Sequence, residues 1–179
     1  MSKNNVIDRL TYGLQKLNKN TIPTNVMEIA KNCIIDTVGV TIAGSVTPSA
    51  KKIYFSATET FKNGNCTILG CDKTLNAAGA ALTNGAAAHA LDFDDNCYAG
   101  IVHGSAVVLP TVLALAQENS LNGEKLLISF IAGLEIQFAI AKAFSNEIYD
   151  RGWWTTSLLG AIGSAASASK LLDLDTEAT

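Results

Sequence analysis

Charge is what this chain has least of. Only 16% of its residues are Asp, Glu, Lys or Arg, against 48% hydrophobic ones, where an ordinary globular domain carries about a quarter charged. So little solvated surface implies either a compact domain or apolar surface kept for a partner. Lys and Arg number 13 and Asp and Glu 16, a net charge of −3, and no basic patch forms along the chain. A nucleic-acid footprint is thereby excluded. Cysteine is also sparse: Cys33, Cys66, Cys71 and Cys97 stand without C-x-x-C spacing, which argues against a zinc finger and for reduced, buried thiols in a cytoplasmic protein. The opening MSKNNVIDRL lacks the apolar core of a signal peptide. The most apolar stretch, LLISFIAGLEIQFAIA, carries Glu135 and Gln137 and falls short of the about twenty apolar residues a membrane span needs. No membrane partner is expected.

Histidine is scarcer still. The chain has 2, and both lie in HALDFDDNCYAGIVHGSAVVLP, residues 89–110, with Asp92, Asp94 and Asp95 between them. If the preceding helix runs through Leu91, these acids sit at its C-terminus, where the helix dipole opposes each negative charge by roughly 0.3–1 kcal/mol. Stability alone does not put them there.

The rest of the chain reads as helix. One domain, residues 1–179, is long enough to bury roughly 70% of the surface its unfolded form exposes. A short helix spans about Val6–Leu17. Pro23 precedes a second, for which Asn25 and Glu28 resemble a capping box and Gly44 a stop. A third covers about Ser49–Phe61, and NGNCTILGCDKT is a turn with at most one short strand. Helices follow at 75–91 and at 105–118, the latter holding Pro110. Asn122 caps a long helix to about Asn146, apolar nearly all round and so expected at the centre, with Glu135 as a candidate buried acid. In SLLGAIGSAASASKLL, the face of Gly160, Gly163, Ser164, Ser167 and Ala168 suits close helix packing; a phosphate loop would need a preceding strand. The fold class is all-α. The closing LLDLDTEAT starts a new turn at Asp175 or Thr176 and stops, and one turn is not a stable helix; a larger, interrupted protein is expected.

Were the helix to continue past Leu91, His89, Asp92 and Asn96 would share a face at i, i+3 and i+7, with Asp95 beside it and Asp94 turned away toward a cap or salt bridge. The loop CYAGIV then returns His103. Imidazoles beside carboxylates suit proton transfer, because the ring titrates near neutrality. A metal held by Asp92, Asp95 and a histidine matches no common motif, and a purely structural loop with solvated acids stays open.

At these residues a resemblance becomes visible. AAGAALTNGAAAHALDFDD, the later histidine, AVVLPTVLALAQ and RGWWTTSLLGAIGSAASASKLLDLD, with IIDTVGVTIAGS upstream, resemble the N-terminal part of the MmgE/PrpD family over Val6 to Thr179. That family includes 2-methylcitrate dehydratase, cis-aconitate decarboxylase and iminodisuccinate epimerase. The resemblance implies a large helical domain plus an α+β lid, homodimers, and no required metal or cofactor. By position, Asp92 matches the first aspartate of the family block, Asn96 stands where the decarboxylases have threonine, and His103 matches the following histidine after a loop one residue longer. Gly104 replaces a frequent proline. The family pattern R-G-[WF]-H-x-T is similar to RGWWTT, but Trp154 stands where the histidine falls, and indole cannot titrate. The family's catalytic lysine and lid would lie beyond residue 179.

The resemblance therefore implies lyase chemistry on a small polycarboxylate, by dehydration or decarboxylation. Asp92 and His103 are the catalytic candidates; Asn96, His89 and Trp154 are the substrate-binding ones. Polycarboxylates call for cationic clamps; around the cluster the chain offers at best Arg151, Lys142 and Lys170, and most of the clamp is expected to be missing. The competing expectation is an inactive helical fragment that binds a partner. A homodimer or a complementary C-terminal chain is the expected protein partner.

Overall fold

The computed structural model describes residues 5–179, apart from the side chains of residues 145 and 146. Its elements in chain order are α1 (Val6–Lys16), α2 (Thr24–Gly44), α3 (Pro48–Thr60), β1 (Cys66–Thr67), β2 (Thr74–Leu75), α4 (Ala77–His89), α5 (Ser105–Glu118), α6 (Gly123–Asp150) and α7 (Thr155–Leu171). The all-α reading holds, with one correction: NGNCTILGCDKT forms two short strands, paired antiparallel as Cys66 with Leu75 and Thr67 with Thr74. Gly70, at φ +79, makes the turn between them possible.

One side-chain cap was legible: Asn122 accepts a hydrogen bond from Lys125 N. Asn76 does the same for Gly79 N, so α4 starts just after residue 75, where the helix was expected to begin. The capping box at Asn25 and Glu28 is not formed. Pro23 holds the cap position of α2 without a side-chain bond, its fixed φ suiting a helix start, and Glu28 pairs instead with Lys31 at 2.8 Å. Asp175 does cap a single turn, accepting from Glu177 N and Ala178 N.

The centre belongs to α5 rather than to α6. Val108, Leu109, Val112 and Ala116 of α5 form the main core with Leu127, Phe130 and Ile131 of α6, Ala30 of α2 and Leu171 of α7. α6 was expected to be covered on all sides, but one of its faces stays open: Glu135, Ala139 and Lys142 are exposed. Glu135 is therefore not a buried acid; the buried polar group of α6 is Gln137. Over Gly123–Phe144 the helix has a mean hydropathy of 1.7, so by length and composition it could match a membrane span, longer than the sequence reading allowed. Half of that stretch is buried in the fold, as in the core helix of a bundle.

Small residues set the spacing. A Cβ on Gly44 would stand 2.0 Å from the Ala87 carbonyl oxygen, so α2 crosses α4 almost backbone to backbone. Gly133 of α6 and Gly163 of α7 face each other similarly, and Ser164 Oγ of α7 donates to Val107 O of α5 at 2.9 Å. The small-residue face of α7 is thus a packing face, as its spacing implies. Its contacts draw α5, α6 and α7 close enough to fix the loop that precedes α5.

Two glycine substitutions separate packing from propensity. At Gly133, a new Cβ would lie 2.7 Å from Gly163 O and from Ser167 Cβ, so Gly133→Ala should destabilise by about 1–3 kcal/mol. Gly39, exposed within α2, has nothing within 4 Å, and Gly39→Ala should stabilise by roughly 0.5–1 kcal/mol. Thermal melts of the two variants should move in opposite directions. Equal shifts would contradict the close α6–α7 contact.

Candidate active site

The helix stops sooner than the pattern suggests. α4 ends at His89, and Asp92 turns into the left-handed region at φ 50 with its N–H bonded to His89 O. Asp tolerates that conformation better than most residues. The common face of His89, Asp92 and Asn96 is therefore not formed. The chain instead makes a tight loop. Cys97 and Val102 pair as an isolated bridge, a turn from Cys97 to Gly100 lies between them, and Gly100 admits Ala141 of α6, which would stand 2.5 Å from a Cβ there.

That loop is held from outside. Thr155 Oγ1 donates to Ile101 O, and Thr156 Oγ1 accepts from His103 N at 3.1 Å, so the first turn of α7 grips both sides of Val102. Gln137 Nε2 of α6 donates to His103 O at 3.3 Å. Ile101 is β-branched and sits at φ 50, an arrangement that survives only when its surroundings enforce it. The consequence is a fixed imidazole: the His103 side chain is only 12% exposed.

Asp94 and Asp95 have the most definite places. Asp94 was expected to point away; its side chain is fully buried and lies between both histidines. Its Oδ1 is 3.0 Å from His89 Nδ1, and its Oδ2 is 3.1 Å from His103 Nδ1. The two rings meet edge to face with centroids 4.9 Å apart. Asp95 turns the opposite way and accepts from both the backbone N and the hydroxyl of Ser105, at the start of α5. There the dipole favours a negative charge. Burial and then the neighbouring Asp95 carboxylate push the Cys33 thiol of α2 up from its ordinary range.

The remaining candidates divide. Asp92 is 80% exposed at the open edge of the cluster, 3.9 Å from His103 Nε2. His89 and Trp154 both line a cleft of about 470 Å³ between α4, α5 and α7, together with Thr156, Ser157 and Ser164. Trp154, just before α7, is half exposed, its rings 6.4 Å from Tyr149. Asn96 is exposed on the loop and lies outside the cleft lining. Lys170 is at the far end of α7, donating to Gln15 O of α1, and burial holds its ammonium below the ordinary lysine range. It is no clamp for this site. Lys142 and Arg151 are exposed near the C-terminal end of α6.

Asp94, Gln137, Thr155 and Thr156 were thus missed. For Asp94 a signal existed: acids disfavoured at a helix end imply that the helix has already stopped. The threonines left none, since a polar residue opening a helix reads as a cap.

The sequence has relatives among known proteins. A cis-aconitate decarboxylase of Aspergillus terreus is 29% identical across 97% of this chain and 36% of its own length. The mouse cis-aconitate decarboxylase is 33% identical across 88% of the chain and 33% of its own length. The human one is 31% identical, over 97% and 37%. The chain spans about a third of the length of these curated relatives. The model of the MmgE/PrpD N-terminal domain matches residues 8–179, a span holding every element from α2 to α7 and the whole histidine cluster, and the chain belongs to the MmgE/PrpD family.

Proposed function

We propose that this chain contributes the imidazole–carboxylate half of a lyase site acting on a small polycarboxylate, with decarboxylation of a cis-aconitate-like substrate the favoured branch and dehydration the other. The observation that carries the reading is the buried Asp94 carboxylate between His89 and His103, at 3.0 and 3.1 Å, with His89 opening into the cleft. Curated relatives named cis-aconitate decarboxylase support the branch.

In that chemistry the bond between carbon and a carboxylate breaks and carbon dioxide leaves. The electron pair stays on carbon, and an acid of the site supplies a proton there. His103, its backbone held by Thr156 and Gln137, supplies the proton. In the dehydration branch Asp92 at the exposed edge takes the proton next to a carboxylate, while His103 protonates the departing hydroxyl, which leaves as water. Asn96 and Trp154 serve as substrate contacts from the loop and the cleft wall. The substrate's carboxylates need cations, and none faces the cleft among the described residues. A partner, either a second copy or a complementary C-terminal chain, supplies them in a cytoplasmic assembly that uses no cofactor.

Trp154 favours a second reading, an inactive partner-binding helical domain, because indole exchanges no proton. Ile29, Ile35, Ile42, Val46 and Phe55 are exposed on α2, α3 and the turn between them, apolar surface of a kind that partners cover.

Two measurements separate the readings. Each general acid or base typically contributes roughly 10²–10⁴-fold, so the 179-residue chain alone should show no measurable loss of carbon dioxide from cis-aconitate or of water from 2-methylcitrate. Paired with the C-terminal part of a relative, Trp154→His should raise the rate, and Asp92→Asn or His103→Ala should abolish the gain. Robust turnover by the chain alone would overturn this assignment of the site; no gain from Trp154→His in a folded pair favours the partner-binding reading. Light scattering with a hydrophobic dye should show self-association or dye binding. A dye-silent monomer would count against the apolar surface being an interface.

A further inference from the structure

We propose that His89, Asp94, His103 and Asp92 form a site for one divalent transition-metal ion of the zinc type. This ligand set differs from the one weighed in the sequence, Asp92, Asp95 and a single histidine. The fold removes Asp95 to the start of α5 and brings in Asp94 and the second imidazole.

The distances come first. Each of the four residues offers one donor atom, and all four atoms lie within 4.8 Å of one another. Tetrahedral zinc binds nitrogen and carboxylate oxygen at about 2.0–2.2 Å, which puts neighbouring ligand atoms roughly 3.3–3.5 Å apart. The Asp94 oxygens stand 3.0 and 3.1 Å from the two Nδ1 atoms. Asp94 Oδ2 is itself 3.1 Å from both Nδ1 atoms, so these three ligands need to part by only a few tenths of an ångström, while the exposed Asp92 carboxylate swings in from the open edge of the 4.8 Å group.

Next comes an unmet valence. His103 Nδ1 is buried and has no hydrogen-bond partner, although Asp94 Oδ2 is 3.1 Å away. The contact is at the right distance but out of line, so no N–H bridges two electron-rich atoms. His89 Nδ1 bonds the Asp94 carboxylate, but His103 Nδ1 is left with the desolvation cost of a buried, unpaired group, and a cation between it and Asp94 resolves the contact.

Charge points the same way. Among the described residues, Asp94 has no Lys or Arg partner; its ion pairs are the two histidines. With both rings neutral, as ligands must be, Asp92 and Asp94 give the cluster a charge that a divalent ion balances. Two nitrogens and two oxygens suit Zn²⁺, Co²⁺ or Ni²⁺, whereas Mg²⁺ and Ca²⁺ prefer all-oxygen sites. The frame is rigid, with His89 closing α4 and His103 held by Thr156 and Gln137, and the exposed Asp92 side chain leaves an entry path. Binding stands on this geometry alone. One consequence rests on the lyase reading: a bound ion occupies the ring that carries the proton and so inhibits.

The test is a titration of the untagged, chelator-stripped chain with Co²⁺. One equivalent should produce the visible absorption of tetrahedral cobalt, and Zn²⁺ should displace it. His89→Gln and Asp94→Asn should each weaken binding at least tenfold, the lower bound for losing even an outer-sphere partner, and Asp92→Asn should alter the band. Zn²⁺ should raise the Tm of the native chain and not of His89→Gln. If Asp94→Asn does not fold, His89→Gln carries the test, since it changes only the partly exposed last residue of a helix. The proposal is overturned by no band at excess Co²⁺, by a band unchanged in His89→Gln, or by thiolate-to-cobalt charge transfer, which would put the ion on a cysteine. Turnover without cobalt binding overturns the metal site alone. Cobalt binding without turnover in a completed pair leaves it standing and counts against the lyase reading.

Discussion

A carboxylate taken wholly out of water must be paired or given up, and the segment between α4 and α5 is organised around that requirement. Asp94 has no accessible side-chain surface, and its partners are the two imidazoles. An uncompensated buried charge costs several kcal/mol, so the rings and the carboxylate stand or fall together. Both histidines of the chain are drawn in, which answers why so hydrophobic a sequence gathers them within fifteen positions of each other. The left-handed turns at Asp92 and Ile101 are the conformational cost of aiming three side chains at one point from a short loop.

The helices make that loop affordable. Without Gly44, Gly133 and Gly163, α2 would stand off α4 and α6 off α7, and the start of α7 would not reach the loop. Thr155, Thr156 and Gln137 act on its backbone rather than on the imidazoles and carboxylates. They position His103. The same close packing of α5 and α7 leaves the cleft against α4, with His89 and Trp154 on its wall, so packing and the site share one cause.

Helices were legible because apolar periodicity and asparagine caps are local signals. Asn122 caps α6 as read, and the small-residue face of α7 has one use at that spacing. The errors arose where a local rule had to yield to distant groups. Apolar residues around α6 implied full burial, but the exposure of Glu135 depends on which neighbours exist, not on the helix itself. Continuing α4 through Asp95 gave a plausible face and sent Asp94 away from it. The dipole penalty on acids at a helix end already argued that the helix was over by then. Asp92 and His103 were singled out by family position, and the structure leaves them at the edge and in the interior of one cluster.

With only two histidines in the chain, imidazole nitrogen spectra by NMR give two resolvable rings and test the central claim directly. If Asp94 bridges them, Asp94→Asn in a chain that keeps its helical circular dichroism must shift the Nδ1 resonances of both His89 and His103. A change confined to one ring, or to neither, would contradict a shared buried carboxylate.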